Sequence, residues 1–70
     1  MEGGENLSKV TDKLNALMKE RNVTAYGIAK EIGYTAPAVY SWVNGETEPK
    51  MKAIVKLSEF FDVPVTYFTD

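Results

Sequence analysis

The chain predicts an all-α fold, a compact bundle of five helices, and three observations carry that prediction. Apolar residues recur at helical spacing rather than in strand-like alternation. Start and stop signals bracket short segments, Thr24 with Gly33 and Pro37 with Asn44-Gly45. The 70 residues include no cysteine and no histidine, so no disulfide or zinc staple is available; a core this small then favours short-range helical packing.

The first helix is predicted over 6–21. Its apolar residues at 7, 10, 14, 17 and 18 occupy an arc of about 100°, one stripe on a helix, with Lys9, Thr11, Asp12, Lys13, Lys19 and Glu20 off it. Residues 1–5 ahead of it read as a flexible, Gly-containing lead. Asn22 suits the left-handed position that ends a helix. The second helix, over 24–32, opens at Thr24, closes at Gly33, and turns Ile28, Ala29 and Ile32 inward. Gly27 inside it costs about 1 kcal/mol of propensity, and close approach of a neighbouring helix is one way to account for it.

The third helix is predicted over 36–44, with its start at Ala36 or Pro37, since proline is tolerated in a first turn but biases the residue before it. Asn44-Gly45 is also a hairpin signal, but its flanks are helical in period, which favours a helix end. Pro49 opens a fourth helix over 49–61, with Met51, Ile54, Leu57, Ser58 and Phe61 on one face. Asp62-Val63-Pro64 breaks it, and a short helix over 64–68 plugs the core.

Composition bounds the function. A chain this short buries only about 60% of its unfolded surface, enough for one core and too little for the two-lobed cleft of most cofactor enzymes. Thiol nucleophiles, histidine acid–base chemistry and zinc knuckles are excluded. The carboxylates of Asp12, Glu20, Glu31, Glu46, Glu48, Glu59 and Asp62 show no catalytic pairing, and no Gly-rich phosphate loop exists, so no enzyme and no cofactor or metal is expected. No apolar run is long enough to span a membrane and the first residues do not form a signal peptide, so the expected location is cytoplasmic. The net charge of −2 counts against a nucleic-acid partner.

On the third helix, Ala38, Val39 and Trp42 span about 100° and face inward, with Val43 at the margin. Ala36, Pro37, Tyr40, Ser41 and Asn44 fall in an adjacent arc of about 140°, left for solvent or a partner. Two short helices joined by a tight turn, with an exposed face on the second, make a helix-turn-helix.

From Leu14 to Phe68 the chain resembles the Cro and phage-repressor type of domain, the lambda-repressor-like or xenobiotic-response-element family. The family's small residue, glycine and aliphatic in and after helix two are matched by Ala29, Gly33 and Val39, and its apolar positions by Ile28, Ile32 and Trp42. Asn44-Gly45, Pro49 and the closing run from Leu57 to Phe68 complete the match, with Asp62 where glycine is common. Gly33, Ala29, Val39 and Trp42 have structural roles in this pattern and identify the scaffold.

The resemblance implies a sequence-specific regulator of transcription that binds double-stranded DNA as a homodimer, with helix three in the major groove. Carried over by position, the base-facing set is Ala36, Pro37, Tyr40 and Ser41, bordered by Thr35 and Asn44. Thr24, Ala25 and Lys30 on helix two, and Lys50 and Lys52 on helix four, would lie against the DNA backbone. Pro64, Val65 and Tyr67 exceed what a core this small can absorb and are expected at the dimer surface, while Val63 and Phe68 plug the core.

Two departures matter. Ala36 and Pro37 stand where the family often has Gln, Arg or Lys, and neither can do more for a base than touch a thymine methyl. Glu46 stands where Lys or Arg is common, and from Thr24 to Met51 Lys30 and Lys50 face Glu31, Glu46 and Glu48, so this stretch is net acidic. An exposed Tyr40 and a solvated lysine face need no DNA to explain them. The alternative is a protein–protein interaction module on the same scaffold, such as a modulator that binds another repressor.

Overall fold

The computed structural model describes the chain from residue 5 to residue 70, with side chains from residue 9. Among these residues the fold is all-helical: α1 (Glu5–Arg21), α2 (Ala25–Ile32), α3 (Ala36–Val43), α4 (Met51–Phe61) and α5 (Thr66–Thr69). The expected lead lies outside the described residues apart from Glu5, which already belongs to α1.

Each of the first four helices stops the same way. One residue turns into the left-handed region, and the next N–H reaches back five residues. Asn22 does this at φ 57°, with the Val23 N–H donating to the Met18 carbonyl at 3.0 Å. Gly33 at φ 80° closes α2, and the Tyr34 N–H donates to Ala29 at 3.0 Å. Gly45 at φ 77° follows α3, with Glu46 N–H on the Ser41 carbonyl at 2.9 Å. Asp62 at φ 59° ends α4, with Val63 N–H on Ser58 at 3.0 Å. Carbonyls that a helix end would orphan are thereby satisfied.

The core lies where the apolar stripes meet. Leu14, Ile28, Val39, Leu57 and Phe68 are fully buried, one from each helix, and Phe61 joins them. Each contributes about 1.5–3 kcal/mol through removal from water. The α1 stripe is met at Val10, Leu14, Leu17 and Met18; the side chain of Leu7 lies outside the described residues. Phe68 plugs the core from α5, and Val63 is half-buried against it.

Several expectations need correction. Helix α4 starts at Met51, two residues later than expected, with Lys50 as N-cap and Pro49 buried ahead of it. Proline is better placed there, because an apolar residue before the N-cap commonly packs back on the fourth helical residue, here Ile54. Met51 does not face inward; it is 57% exposed. Ala53 joins the buried set and rotates the α4 stripe away from Met51. Helix α3 ends at Val43, with Asn44 as its cap, and α5 spans Thr66–Thr69 rather than 64–68, since Pro64 and Val65 supply carbonyls to its first turn. Thr11, off the apolar stripe by its spacing, is nonetheless buried. Gly27 makes no room for a neighbouring helix: a Cβ there would lie 3.3 Å from Thr24 Oγ1, the atom that caps α2.

Candidate nucleic-acid interface

Helices α2 and α3 form a unit capped at both starts. Thr24 Oγ1 accepts from the Gly27 N–H at 3.0 Å, and Thr35 Oγ1 from the Ala38 N–H at 3.3 Å. Between them the chain reverses at Gly33. Tyr34 sets its ring edge-on to Trp42, centroids 5.2 Å apart, which ties the turn to α3.

Helix α3 is seated by Val39, fully buried, and Trp42, 6% exposed. Its far end is clasped from α1. Thr11 Oγ1 donates to the Trp42 carbonyl at 3.0 Å, and Asn15 Nδ2 to the Val43 carbonyl at 3.1 Å. The sequence reading missed both side chains. The available signal was their i,i+4 spacing beside the apolar stripe, which puts them on one face of α1.

What remains outward on α3 is a polar and aromatic surface. Tyr40 is 49% exposed, Pro37 and Asn44 are exposed, and Ser41 is half-buried. Two short helices at a fixed angle, the second presenting a ridge between buried anchors, form a helix-turn-helix. A family model described as helix-turn-helix matches residues 14–68.

The chain belongs to that family, the xenobiotic-response-element type. This helix-turn-helix domain is also 28% identical over 57 residues to a Bacillus subtilis (strain 168) protein described as "Uncharacterized HTH-type transcriptional regulator YqaE". That match takes in 81% of the chain but only 49% of the relative, so the chain spans about half the relative's length. No solved structure matches it.

The domain brings Pro37, Tyr40, Ser41 and Asn44 onto one side of α3, with Thr35 at its start. Ala36 sits at the border, half-buried and packed against the core. On α2, Thr24 and Lys30 are exposed, whereas the Ala25 side chain is 4% exposed, so only its backbone N–H could meet a ligand. Lys50 and Lys52 are exposed at the start of α4. Of the dimer set, Pro64 is exposed, while Val65 and Tyr67 are half-buried on the chain's own core. The Tyr67 ring carries Lys13 Nζ 5.4 Å from its centroid.

The electrostatics of the helix starts are unusual. None of α2, α3 and α4 has an acidic residue in its first turn, although carboxylates there would stabilise each helix. Helix α4 goes further, with Lys50 at the N-cap making no side-chain cap bond and Lys52 two residues on. Cations at the positive end of a helix are unfavourable until an anion arrives.

Two further side chains complete this surface, of which Tyr26 was not anticipated. Tyr26 on α2 is 62% exposed. Glu46, expected in an acidic loop beside the DNA backbone, is exposed and its Oε1 accepts from Ser41 Oγ at 3.3 Å. Among the described residues, no group of acidic side chains could hold a metal ion, and no helix is long and apolar enough to cross a membrane.

Proposed function

We propose that this chain is a sequence-specific double-stranded DNA-binding regulator of transcription, of the repressor or Cro type, that sets α3 in the major groove as a homodimer. The observation that carries the reading is Tyr40, half-exposed on α3 while its neighbours Val39 and Trp42 are locked in the core. Such a ridge admits a groove without any rearrangement of the bundle. Support for the backbone contacts comes from the acid-free helix starts with Lys50 and Lys52 at α4. The relative's description as a transcriptional regulator supports the regulatory role.

The mechanism is occupancy rather than chemistry. Thr24, the Ala25 N–H, Lys30, Lys50 and Lys52 hold phosphates and set the angle of approach, and Tyr40, Ser41 and Asn44 meet base edges. Two linked half-site contacts would compensate for weak binding by one subunit, with Pro64, Val65 and Tyr67 at the dimer contact.

A second reading, a protein-interaction module, is favoured by the apolar pair Met51 and Val55, 57% and 37% exposed on one flank of α4. Selection from random duplexes at low salt separates the two. The DNA reading expects an enriched two-fold motif, and expects Tyr40→Ala to weaken binding to it by about 1–3 kcal/mol. No enriched motif, together with capture of a protein partner that Met51→Lys abolishes, would establish the second reading instead.

A further inference from the structure

We propose that Glu46 is a specificity-determining residue of the α3 face, a carboxylate held by Ser41 to accept from the amino group of a cytosine. The inference rests on the DNA-binding reading above. Its starting point is the way the loop after α3 is built. At Gly45 the chain turns back, and both the Glu46 and Thr47 N–H groups donate to the Ser41 carbonyl, at 2.9 and 3.4 Å. The Glu46 backbone is thus pinned beside Ser41, and its Oε1 takes the Ser41 hydroxyl at 3.3 Å. Glu46 is exposed, so no burial forces this contact.

The consequence is a change in what the helix can offer a base pair. Ala36 and Pro37 supply neither donor nor acceptor from their side chains. Beyond Thr35, whose hydroxyl oxygen caps the helix, polar readout therefore falls to Tyr40, Ser41 and Asn44, and to the tethered Glu46. The one proton of Ser41 is committed to Glu46, which leaves that hydroxyl as an acceptor. A carboxylate has about four acceptor sites, so one bond to serine leaves it able to take another donor.

Phosphates offer no donor and repel a carboxylate. The exocyclic amine of cytosine in the major groove is the donor that Glu and Asp side chains take. Ser41 acts here as a positioning residue, drawing the carboxylate toward the outward arc of α3 on which Ser41 itself lies.

The test is random-duplex selection with the intact chain and with Glu46→Gln, Glu46→Ala, Ser41→Ala and Ser41→Thr, each first shown by circular dichroism to melt like the parent. The parent should select a cytosine at one position of each half-site, and replacing that G·C pair by A·T should weaken binding about 5- to 150-fold. Glu46→Ala should flatten that one position, and any further change should be confined to the base that Ser41 meets, since its proton is freed. Glu46→Gln should shift it toward adenine, the base that a carboxamide pairs with. Ser41→Ala should weaken the preference, and Ser41→Thr, which keeps the hydroxyl, should restore it. An unchanged motif with uniformly tighter binding by Glu46→Ala and Glu46→Gln would overturn the proposal, since the carboxylate would then act only by repelling phosphate. No motif from the folded parent would overturn the DNA-binding reading itself.

Discussion

Gly33 is the residue on which the angle between α2 and α3 turns. It sits at φ 80°, and a Cβ built there would meet nothing within 4 Å. The expected cost of Gly33→Ala is therefore backbone strain alone, about 1–2 kcal/mol, read as a lower urea midpoint with an unchanged slope. Asn22 and Asp62 adopt the same left-handed region at φ 57° and 59° with side chains that tolerate it. These positions were legible in the sequence, because Asn, Gly and Asp after an apolar helical stripe carry the stop signal in their own chemistry. The purpose of Gly27 was not legible. The atom that crowds it belongs to the cap three residues back, and only coordinates place that hydroxyl.

Helix α3 depends on α1 as much as on its own turn. Thr11 and Asn15 donate to the carbonyls of Trp42 and Val43, and Arg21 Nη1 does the same for Phe61 at the end of α4, at 2.9 Å. Helix α1 thus acts as a strut that satisfies the C-terminal ends of two other helices. Thr11→Val keeps the shape and removes the hydroxyl. The Trp42 carbonyl would retain the Gly45 N–H at 3.2 Å, so the expected loss of stability is about 1 kcal/mol, measured by urea unfolding. Helix existence was readable from periodicity in the longer elements, from the caps at α2 and from the break before α5. The starts of α4 and α5 were not, because proline can stand inside a first turn or just ahead of it. Both prolines stand ahead of their helices, Pro49 with its ring buried and Pro64 exposed, so the place of each follows from the tertiary path of the chain and not from the residue alone.

For the whole molecule, the chain is net −2 yet presents cations at the start of α4. If Lys30, Lys50 and Lys52 are the phosphate contacts, log K against log salt should fall with a slope of about −2.7 per subunit, shallow for a repressor. Lys50→Ala should make that slope less steep by about 0.9 and weaken all duplexes alike. Sedimentation at high micromolar concentration should find the dimer, and Pro64→Glu, at the exposed position of the proposed contact, should return it to monomer. The candidate site was partly legible at this scale. The outward arc of α3 followed from its period, and Tyr40 lies on it. Periodicity could not show that Ala36 leans on the core or that the Ala25 side chain is buried, since both depend on what packs alongside.

The sequence by itself determined that the described residues form five helices with a helix-turn-helix among them, because helical period and caps are local properties written in neighbouring residues, and its Ala29, Gly33 and Val39 carried the resemblance to the family. Only the tertiary structure decided that Thr11 and Asn15 hold α3 from another helix, that Met51 stays in solvent, and that Glu46 turns back onto Ser41. Each of those depends on atoms brought together by packing or by a reversal of the chain, and their distance in space does not follow from their separation in sequence.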